Sequence, residues 1–459
     1  MLHYDLLVIG SGPAGQRAAV QAAKLGKRAA VIEKRQMVGG VCVNTGTIPS
    51  KTLREAALFL TGYGQHTFYG ASYTVKQKIT MEDLMLRSSL VIKREIDVME
   101  SQMRRNNVDL LSGAASFLDP HTLIVEGVSE STKVSADIIV IAAGTRPALP
   151  PGVVCDGVHL IDSDGILDMK TLPRTLTVVG AGVIGLEYAS IFATLRIEVT
   201  VIDKRDRLLD FVDAEIVESL SYQLRQAGTT MRLGEEVSHV ACTQGRAVTE
   251  MLSGKRIVSD MVLFSAGRTG ATEGLNLPAA GLGADERGRI AVDAHYRTQV
   301  PSIFAVGDII GFPSLASTSM EQGRLAAAFA FGHEVPPMAT LFPYGIYTIP
   351  EISMIGPTEE ELTKKAVPYE IGVSRYREIA RGQILGDDTG LLKLIFHRNT
   401  RKLLAAHSIG TGATEMIHIA QAVVTLGGTL DYFLNSVFNY PTLAECYKVA
   451  ALDCANKLD

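Results

Sequence analysis

The chain has 459 residues, 47% of them hydrophobic and 20% charged, with a formal net charge of −5 at neutral pH. That length exceeds what one ordinary core serves and implies two to four domains. The mild acidity supplies no field that would draw nucleic acid or an anionic membrane surface. The cysteines Cys42, Cys155, Cys242, Cys446 and Cys454 lack both disulfide-scaffold density and zinc-ligand spacing. His397, His407 and His418 are read as satisfied structural histidines, so no metal is expected. No run reaches the ~18 apolar residues needed to cross a bilayer, and the first strand starts too early to leave room for a signal peptide. A cytoplasmic protein without membrane or nucleic-acid partners is expected.

Leu6-Leu7-Val8-Ile9 is an apolar run of the buried parallel-strand kind. Gly10-Ser11-Gly12-Pro13-Ala14-Gly15 follows, then helical sequence to about Leu25, then Ala29–Ile32 ending at Glu33. The first glycine permits the tight turn, the second lets a pyrophosphate approach the backbone, and the third lets helix and strand pack closely. The helix start offers amides and partial positive charge to phosphates, and Glu33 offers an acceptor to a ribose diol. The glycine pattern alone is weak; strand, helix, strand and acid together make this a dinucleotide-binding unit.

Next comes Gly39-Gly40-Val41-Cys42-Val43-Asn44-Thr45-Gly46-Thr47-Ile48-Pro49-Ser50-Lys51, which opens a helix near Pro49. This segment resembles the flavin-facing redox segment of the glutathione reductase and lipoamide dehydrogenase family, the class I pyridine nucleotide-disulfide oxidoreductases, where it carries Cys-x4-Cys. Cys42 holds the first cysteine position, but Thr47 holds the second. A hydroxyl cannot form a disulfide, so one half of the family's thiol relay is missing. Cys42 is then read as a small packing residue, with a free thiol near the flavin, open to oxidation, as the alternative.

Residues 80–110 read as a long amphipathic helix, and Asp137–Ile141 as a buried strand closed by the small turn Ala142-Ala143-Gly144-Thr145. Pro147, Pro150 and Pro151 then read as a linker. The dinucleotide unit recurs as Leu176–Val179, Gly180-Ala181-Gly182-Val183-Ile184-Gly185, a helix, and Val199–Ile202 ending at Asp203. The offset between Gly10 and Gly180, 170 residues, also carries Glu33 onto Asp203. Two fingerprints in matching register argue for two nucleotide sites without any family knowledge. Asp203 suits the free 2′-hydroxyl of NAD(H), while Lys204 and Arg205 offset its repulsion of a 2′-phosphate through charge-assisted bonds of roughly 1.5–3 kcal/mol. Neither nucleotide is then excluded.

Met261–Arg268 reads as a strand marking the chain's return to the first unit, and Ile303–Asp308 resembles the family's second flavin motif. Beyond residue 336 the texture is α+β. Thr358–Glu361 with Lys364 and Lys365 reads as a capped surface helix rather than a binding patch. Phe438-Asn439-Tyr440-Pro441-Thr442 with Glu445 resembles the family's terminal motif, in which a histidine reaches across the dimer to serve the thiols. Here Tyr440 stands at that histidine, and a tyrosine titrating near 10 is a poor shuttle at neutral pH.

The resemblance implies two Rossmann-like domains binding FAD and NAD(P), plus an α+β dimerisation domain. Residues 1–148 and 261–335 would form the FAD-binding domain, 149–260 the NAD(P)-binding domain and 336–459 the dimerisation domain. It places Lys51 and Glu187 as an ion pair beside the flavin, with Thr47 the third residue of the reaction centre. Cofactor contacts are expected from Gly10, Gly12, Pro13, Ala14, Gly15, Glu33, Lys34, Gly40, Val41, Cys42, Gly113, Ala114, Ala143, Gly144, Gly307, Asp308, Leu315 and Ala316. Further contacts are expected from Gly180, Gly182, Val183, Ile184, Gly185, Asp203, Lys204, Arg205, Gly267 and Arg268. With Thr47 and Tyr440 closing the thiol exit, reduced flavin would discharge into a second nicotinamide. Family members with the Gly-Thr-Ile-Pro-Ser-Lys and Phe-Asn-Tyr-Pro-Thr forms are transhydrogenases, so the expected reaction is NADPH + NAD+ giving NADP+ + NADH, or the reverse, through FAD in a homodimer or a higher homo-oligomer. An NAD(P)H:acceptor reductase and an idle flavin-binding module are the alternatives.

Overall fold

The computed structural model describes residues 2–150 and 152–458; Pro151 of the expected linker lies outside the described residues. The first unit forms as expected: β1 (Leu2–Ile9), α1 (Pro13–Lys24) and β2 (Ala29–Glu33), with β1 and β2 parallel. Two helices follow, α2 (Gly40–Asn44) and α3 (Thr47–Thr61). Pro49 therefore lies within the first turn of α3, where its missing N–H costs nothing, rather than at the helix start. A short α4 (His66–Tyr69) leads to α5 (Met81–Arg105), closed at its start by a Thr80/Asp83 capping box. The helix stops short of residue 110 because β3 (Asp109–Ser112) pairs with β2. Then β4 (Ala114–Asp119), β5 (Thr122–Glu126) and β6 (Ser131–Ile141) complete the path β3-β2-β1-β6-β5-β4.

The chain crosses out through β7 (Thr145–Pro147), so Pro147 sits in a ladder rather than a free linker. The second unit contains β8 (Leu160–Asp162), β9 (Thr175–Val179), α6 (Val183–Thr194), β10 (Glu198–Asp203), α7 (Ala214–Gln226) and β11 (Thr230–Leu233). An antiparallel meander, β12 (Val237–Thr243), β13 (Arg246–Met251) and β14 (Arg256–Ser259), precedes β15 (Met261–Phe264). β15 lies parallel between β9 and β8, giving the order β11-β10-β9-β15-β8. The expected boundary before Met261 is thus too early by sheet membership, because it would cut a strand out of the second sheet. The return runs through β16 (Arg268–Gly270), antiparallel to β7, to β17 (Ile303–Ala305) on β6 and α8 (Ala316–Ala330) against α1.

The remaining chain builds the antiparallel order β18-β19-β22-β21-β20 from β18 (Tyr344–Ile346), β19 (Ile352–Ile355), β20 (Tyr369–Arg375), β21 (Leu391–His397) and β22 (Leu403–Ile409). Its helices are α9 (Glu359–Lys364), α10 (Ala380–Leu385), α11 (Ala413–Thr425), α12 (Leu430–Asn435) and α13 (Glu445–Leu458). α9 has its Thr358/Glu361 capping box, but its first turn is not merely solvated. Glu359, Asp213 (3.0 Å) and Glu215 (3.3 Å) surround the buried Lys393 ammonium, tying α9 and β21 to the start of α7. One apolar cluster runs from Leu53 and Ala57 of α3 through Val178, Leu186 and Val201 to Ile346, Ile352 and Ile409. A continuous core thereby fixes the flavin-segment helix, the second unit and the C-terminal sheet against one another.

Candidate active site

The internal repeat holds at the level of individual hydrogen bonds. Gly10 N donates to Ile32 O and Gly180 N to Ile202 O, both at 2.8 Å. A Cβ on Gly15 would lie 1.9 Å from Gly10 O, and one on Gly185 would lie 2.0 Å from Gly180 O, so both positions require glycine for helix–strand contact. Neither α1 nor α6 has a side-chain cap at Gly12 or Gly182, leaving first-turn amides for an anion. Glu33 accepts from Ser11 N (3.0 Å), Ser11 Oγ (2.5 Å) and Arg35 N (2.9 Å). Asp203 accepts from Ala181 N (2.6 Å) and Arg205 N (2.8 Å), the residues in equivalent register.

A cavity of about 280 Å³ lies over the first unit. It is lined by Gly10, Gly12, Pro13, Ala14, Glu33, Lys34, Gly40, Val41, Cys42, Thr47, Gly113, Ala114, Ala143, Gly144, Gly307, Asp308 and Ala316, all expected cofactor residues. A second cavity, of about 660 Å³, is lined by Lys51, Val183, Ile184, Glu187, Arg268 and Leu315. The two share a wall that includes Val41, Thr47, Thr145, Asp164 and Asp308. Gly15, Gly180, Gly182, Gly185, Asp203, Lys204, Arg205 and Gly267 line neither cavity. Gly15 and Gly185 serve packing, and the acid end of the second unit stands apart from both cavities.

In the second cavity, Lys51 Nζ lies 2.8 Å from Glu187 Oε2. Glu187 is almost wholly buried, and its Oε1 accepts the Tyr347 amide at 2.9 Å. The Lys51 ammonium also stands 4.8 Å from the Tyr347 ring centroid. The Tyr347 loop is fastened by Arg54, whose Nε donates to Thr348 O at 3.1 Å and whose Nη2 lies 3.4 Å from Glu351. Ile349 N donates to Ser190 Oγ at 3.1 Å.

Burial pushes the Cys42 thiol up, and the Thr47 hydroxyl beside it opposes that shift without reversing it. The thiol is protonated and poorly nucleophilic as a result. Every cysteine among the described residues is free. Burial likewise raises the Asp308 carboxyl, against the pull of Arg268, Ser319 and Thr145.

Several residues differ from expectation. His418 is exposed and lines the second cavity rather than being a satisfied structural residue; its Nδ1 lies 2.7 Å from Gln421 Oε1. His407 is fully buried, but only Nε2 has a partner, Pro357 O at 3.0 Å. Tyr440 is 74% exposed, and neither it nor Glu445 lines either of these two cavities. Ser11, Thr145, Tyr344 and Tyr347 escaped sequence reasoning. Ser11 is an unspecified position of the glycine pattern, and Tyr347 lies in a stretch without local periodicity.

Two acid-terminated dinucleotide units facing one ion pair define a nicotinamide-linked flavoprotein oxidoreductase with an appended antiparallel domain. Residues 4–323 match the model of the pyridine nucleotide-disulphide oxidoreductases, and residues 342–451 match that family's dimerisation domain. The chain belongs to the pyridine nucleotide-disulphide oxidoreductase family. Over its whole length it is 56% identical to a soluble pyridine nucleotide transhydrogenase of Mycobacterium tuberculosis, covering 98% of that protein. It is 44% identical to the one from Colwellia psychrerythraea, over 99% of this chain and 98% of that one. Among solved structures, the HOCl-induced flavoprotein disulfide reductase RclA from Escherichia coli superposes with a TM-score of 0.88 at 27% identity, over 98% of this chain and 99% of that one. LpdA from Mycobacterium tuberculosis shares the fold at a TM-score of 0.90 and 24% identity, over 98% and 99% of the two chains.

Proposed function

We propose that the protein is a flavin-dependent pyridine nucleotide transhydrogenase, exchanging a hydride reversibly between NADPH and NAD+. The carrying observation is the pairing of Cys42 with Thr47, a hydroxyl where a disulfide would need sulfur, beside an intact Lys51–Glu187 pair. Full-length similarity to chains bearing the transhydrogenase name supports the same reading.

The residues of the first cavity fit FAD. The half-buried Asp308 carboxylate has one long side-chain bond, from Ser319 Oγ at 3.5 Å, and so offers an acceptor to a ligand hydroxyl. The uncapped start of α1 offers amides to a pyrophosphate, and Glu33 offers acceptor lone pairs to a ribose. Bound there, FAD supplies the ring that accepts and returns a hydride. In this reading Lys51 holds positive charge beside that ring, Glu187 and Tyr347 fix the ammonium, and Thr47 fills the place of a thiol. Val183, Ile184 and Tyr188 wall the second cavity, where in this reading one nucleotide follows another. The FAD-binding part would comprise residues up to 148 and from about 267 to 335, the NAD(P)-binding part the residues between, and the dimer interface the remainder. We place the enzyme in the cytoplasm, as a homodimer.

Anaerobic mixing of purified protein with NADPH and thio-NAD+ tests the reading. Sustained formation of reduced thio-NAD is expected. Flavin bleaching that needs a quinone for turnover would make the protein an acceptor reductase, and an unbleached flavin would make it an idle module.

A further inference from the structure

The two dinucleotide units carry nearly the same tripeptide at the end of their second strands, Glu33-Lys34-Arg35 and Asp203-Lys204-Arg205. Their arginines nevertheless behave differently. In the first unit the Ser11 hydroxyl donates to Glu33 Oε2 at 2.5 Å, and Arg35 reaches Glu33 through its backbone amide, at 2.9 Å. In the second unit Ala181 stands in the register of Ser11 and has no hydroxyl to give. There the Arg205 guanidinium takes the acid directly, Nε to Oδ1 at 3.0 Å and Nη2 to Oδ2 at 2.9 Å. With the amides of Ala181 (2.6 Å) and Arg205 (2.8 Å), four hydrogen bonds fall on the buried Asp203, filling the roughly four lone-pair sites of a carboxylate. The arginine side chain remains 41% exposed and has solvent to swing into.

We propose that Arg205 is a specificity switch for the nicotinamide nucleotide site, masking Asp203 in the free enzyme and yielding differently to NAD(H) and NADP(H). The inference rests on the transhydrogenase reading, which requires one site to serve both nucleotides in turn. An adenosine 2′-hydroxyl has to displace the guanidinium before Asp203 can accept from it. A 2′-phosphate instead draws the planar fork onto itself, so that the positive charge stands between phosphate and carboxylate. The pair therefore opposes NAD(H) and favours NADP(H), which balances the intrinsic preference of Asp203 for a free hydroxyl. Ala181 makes the arrangement possible, because a hydroxyl at that position would hold the acid as Ser11 holds Glu33.

Isothermal titration of the oxidised holoenzyme with NAD+ and with NADP+ tests this in wild type, Arg205→Ala, Arg205→Lys and Ala181→Ser. Arg205→Ala is expected to weaken NADP+ by about tenfold or more and to tighten NAD+ by about two- to fivefold. Arg205→Lys, which keeps charge but loses the fork, should fall between wild type and Arg205→Ala for NADP+. Ala181→Ser should tighten NAD+ while retaining NADP+ affinity, a split that a merely structural role would not produce. Equal changes in both affinities, or weaker NAD+ binding in Arg205→Ala, would overturn the switch while leaving the transhydrogenase reading intact. A wild type that binds only one of the two nucleotides would overturn both.

Discussion

The Lys51 ammonium sits 2.8 Å from Glu187, and the second oxygen of that carboxylate is held by the backbone amide of Tyr347. Three separate parts of the chain thus meet at one charge pair. Lys51→Ala leaves Glu187 buried with a single amide partner, and stranding a buried charge costs about 3–5 kcal/mol at the upper end. Lys51 is 27% exposed, so roughly 1–3 kcal/mol is the expected loss by urea unfolding. Stopped-flow reduction of the flavin by NADPH should slow by about tenfold or more, with little change in half-saturating concentration.

Thr47→Cys restores a sulfur beside Cys42, whose thiol already neighbours the Thr47 hydroxyl. The oxidised variant should titrate one thiol fewer than wild type after denaturation, despite carrying one cysteine more. Its transhydrogenase rate should fall as electrons leave the flavin for the new disulfide. An unpaired thiol count with an unchanged rate would remove the argument that Thr47 closes the sulfur exit.

Asp308 is a half-buried carboxylate raised chiefly by desolvation, so its charged form costs the apoprotein stability at neutral pH. The native state then binds this proton more tightly than the unfolded chain does. Its contribution to stability rises as pH falls through the folded value and levels off below the ordinary aspartate value of about 4. Apoprotein Asp308→Asn should melt higher than wild-type apoprotein at pH 7, and that gap should close on acidification.

Lys393 is enclosed by Asp213, Glu215 and Glu359, and despite a burial penalty Glu359 and Asp213 raise the ammonium above its usual range. A raised ammonium stabilises the fold fully below the ordinary lysine value and loses that effect only as pH climbs through the folded one. Asp213 is the mirror case: burial opposes its ionisation, but His407 and Lys393 still hold its carboxyl low, so its contribution fades as pH falls through that lowered value. Lys393→Met strands the buried Asp213 and should cost about 3–5 kcal/mol in urea unfolding across the neutral range. The flavin spectrum of the folded fraction should be unaltered.

Both dinucleotide units were legible because their constraint is local. A glycine whose Cβ would strike Gly10 O, or Gly180 O, leaves a trace within six residues of sequence. The Lys51–Glu187 pair was reached only through family likeness, since its members lie on different helices and nothing in either flank marks the other. Tyr347 left no trace, because it acts through a backbone amide and a ring face, neither of which constrains nearby residues. Arg205 was read as a partner for a 2′-phosphate and not as a partner of Asp203, because a side-chain contact two residues along the chain leaves no pattern in the sequence. The strand Met261–Phe264 was recognised, but an apolar run does not say which of two parallel sheets will take it.

The wall common to the two cavities has a kinetic corollary. If Val41, Thr47 and Asp308 bound both chambers, a spent nucleotide has to vacate the mouth before its successor docks. Each nucleotide is then also a dead-end competitor of the other, and turnover at a fixed ratio of the two should pass through a maximum rather than a plateau as both become abundant.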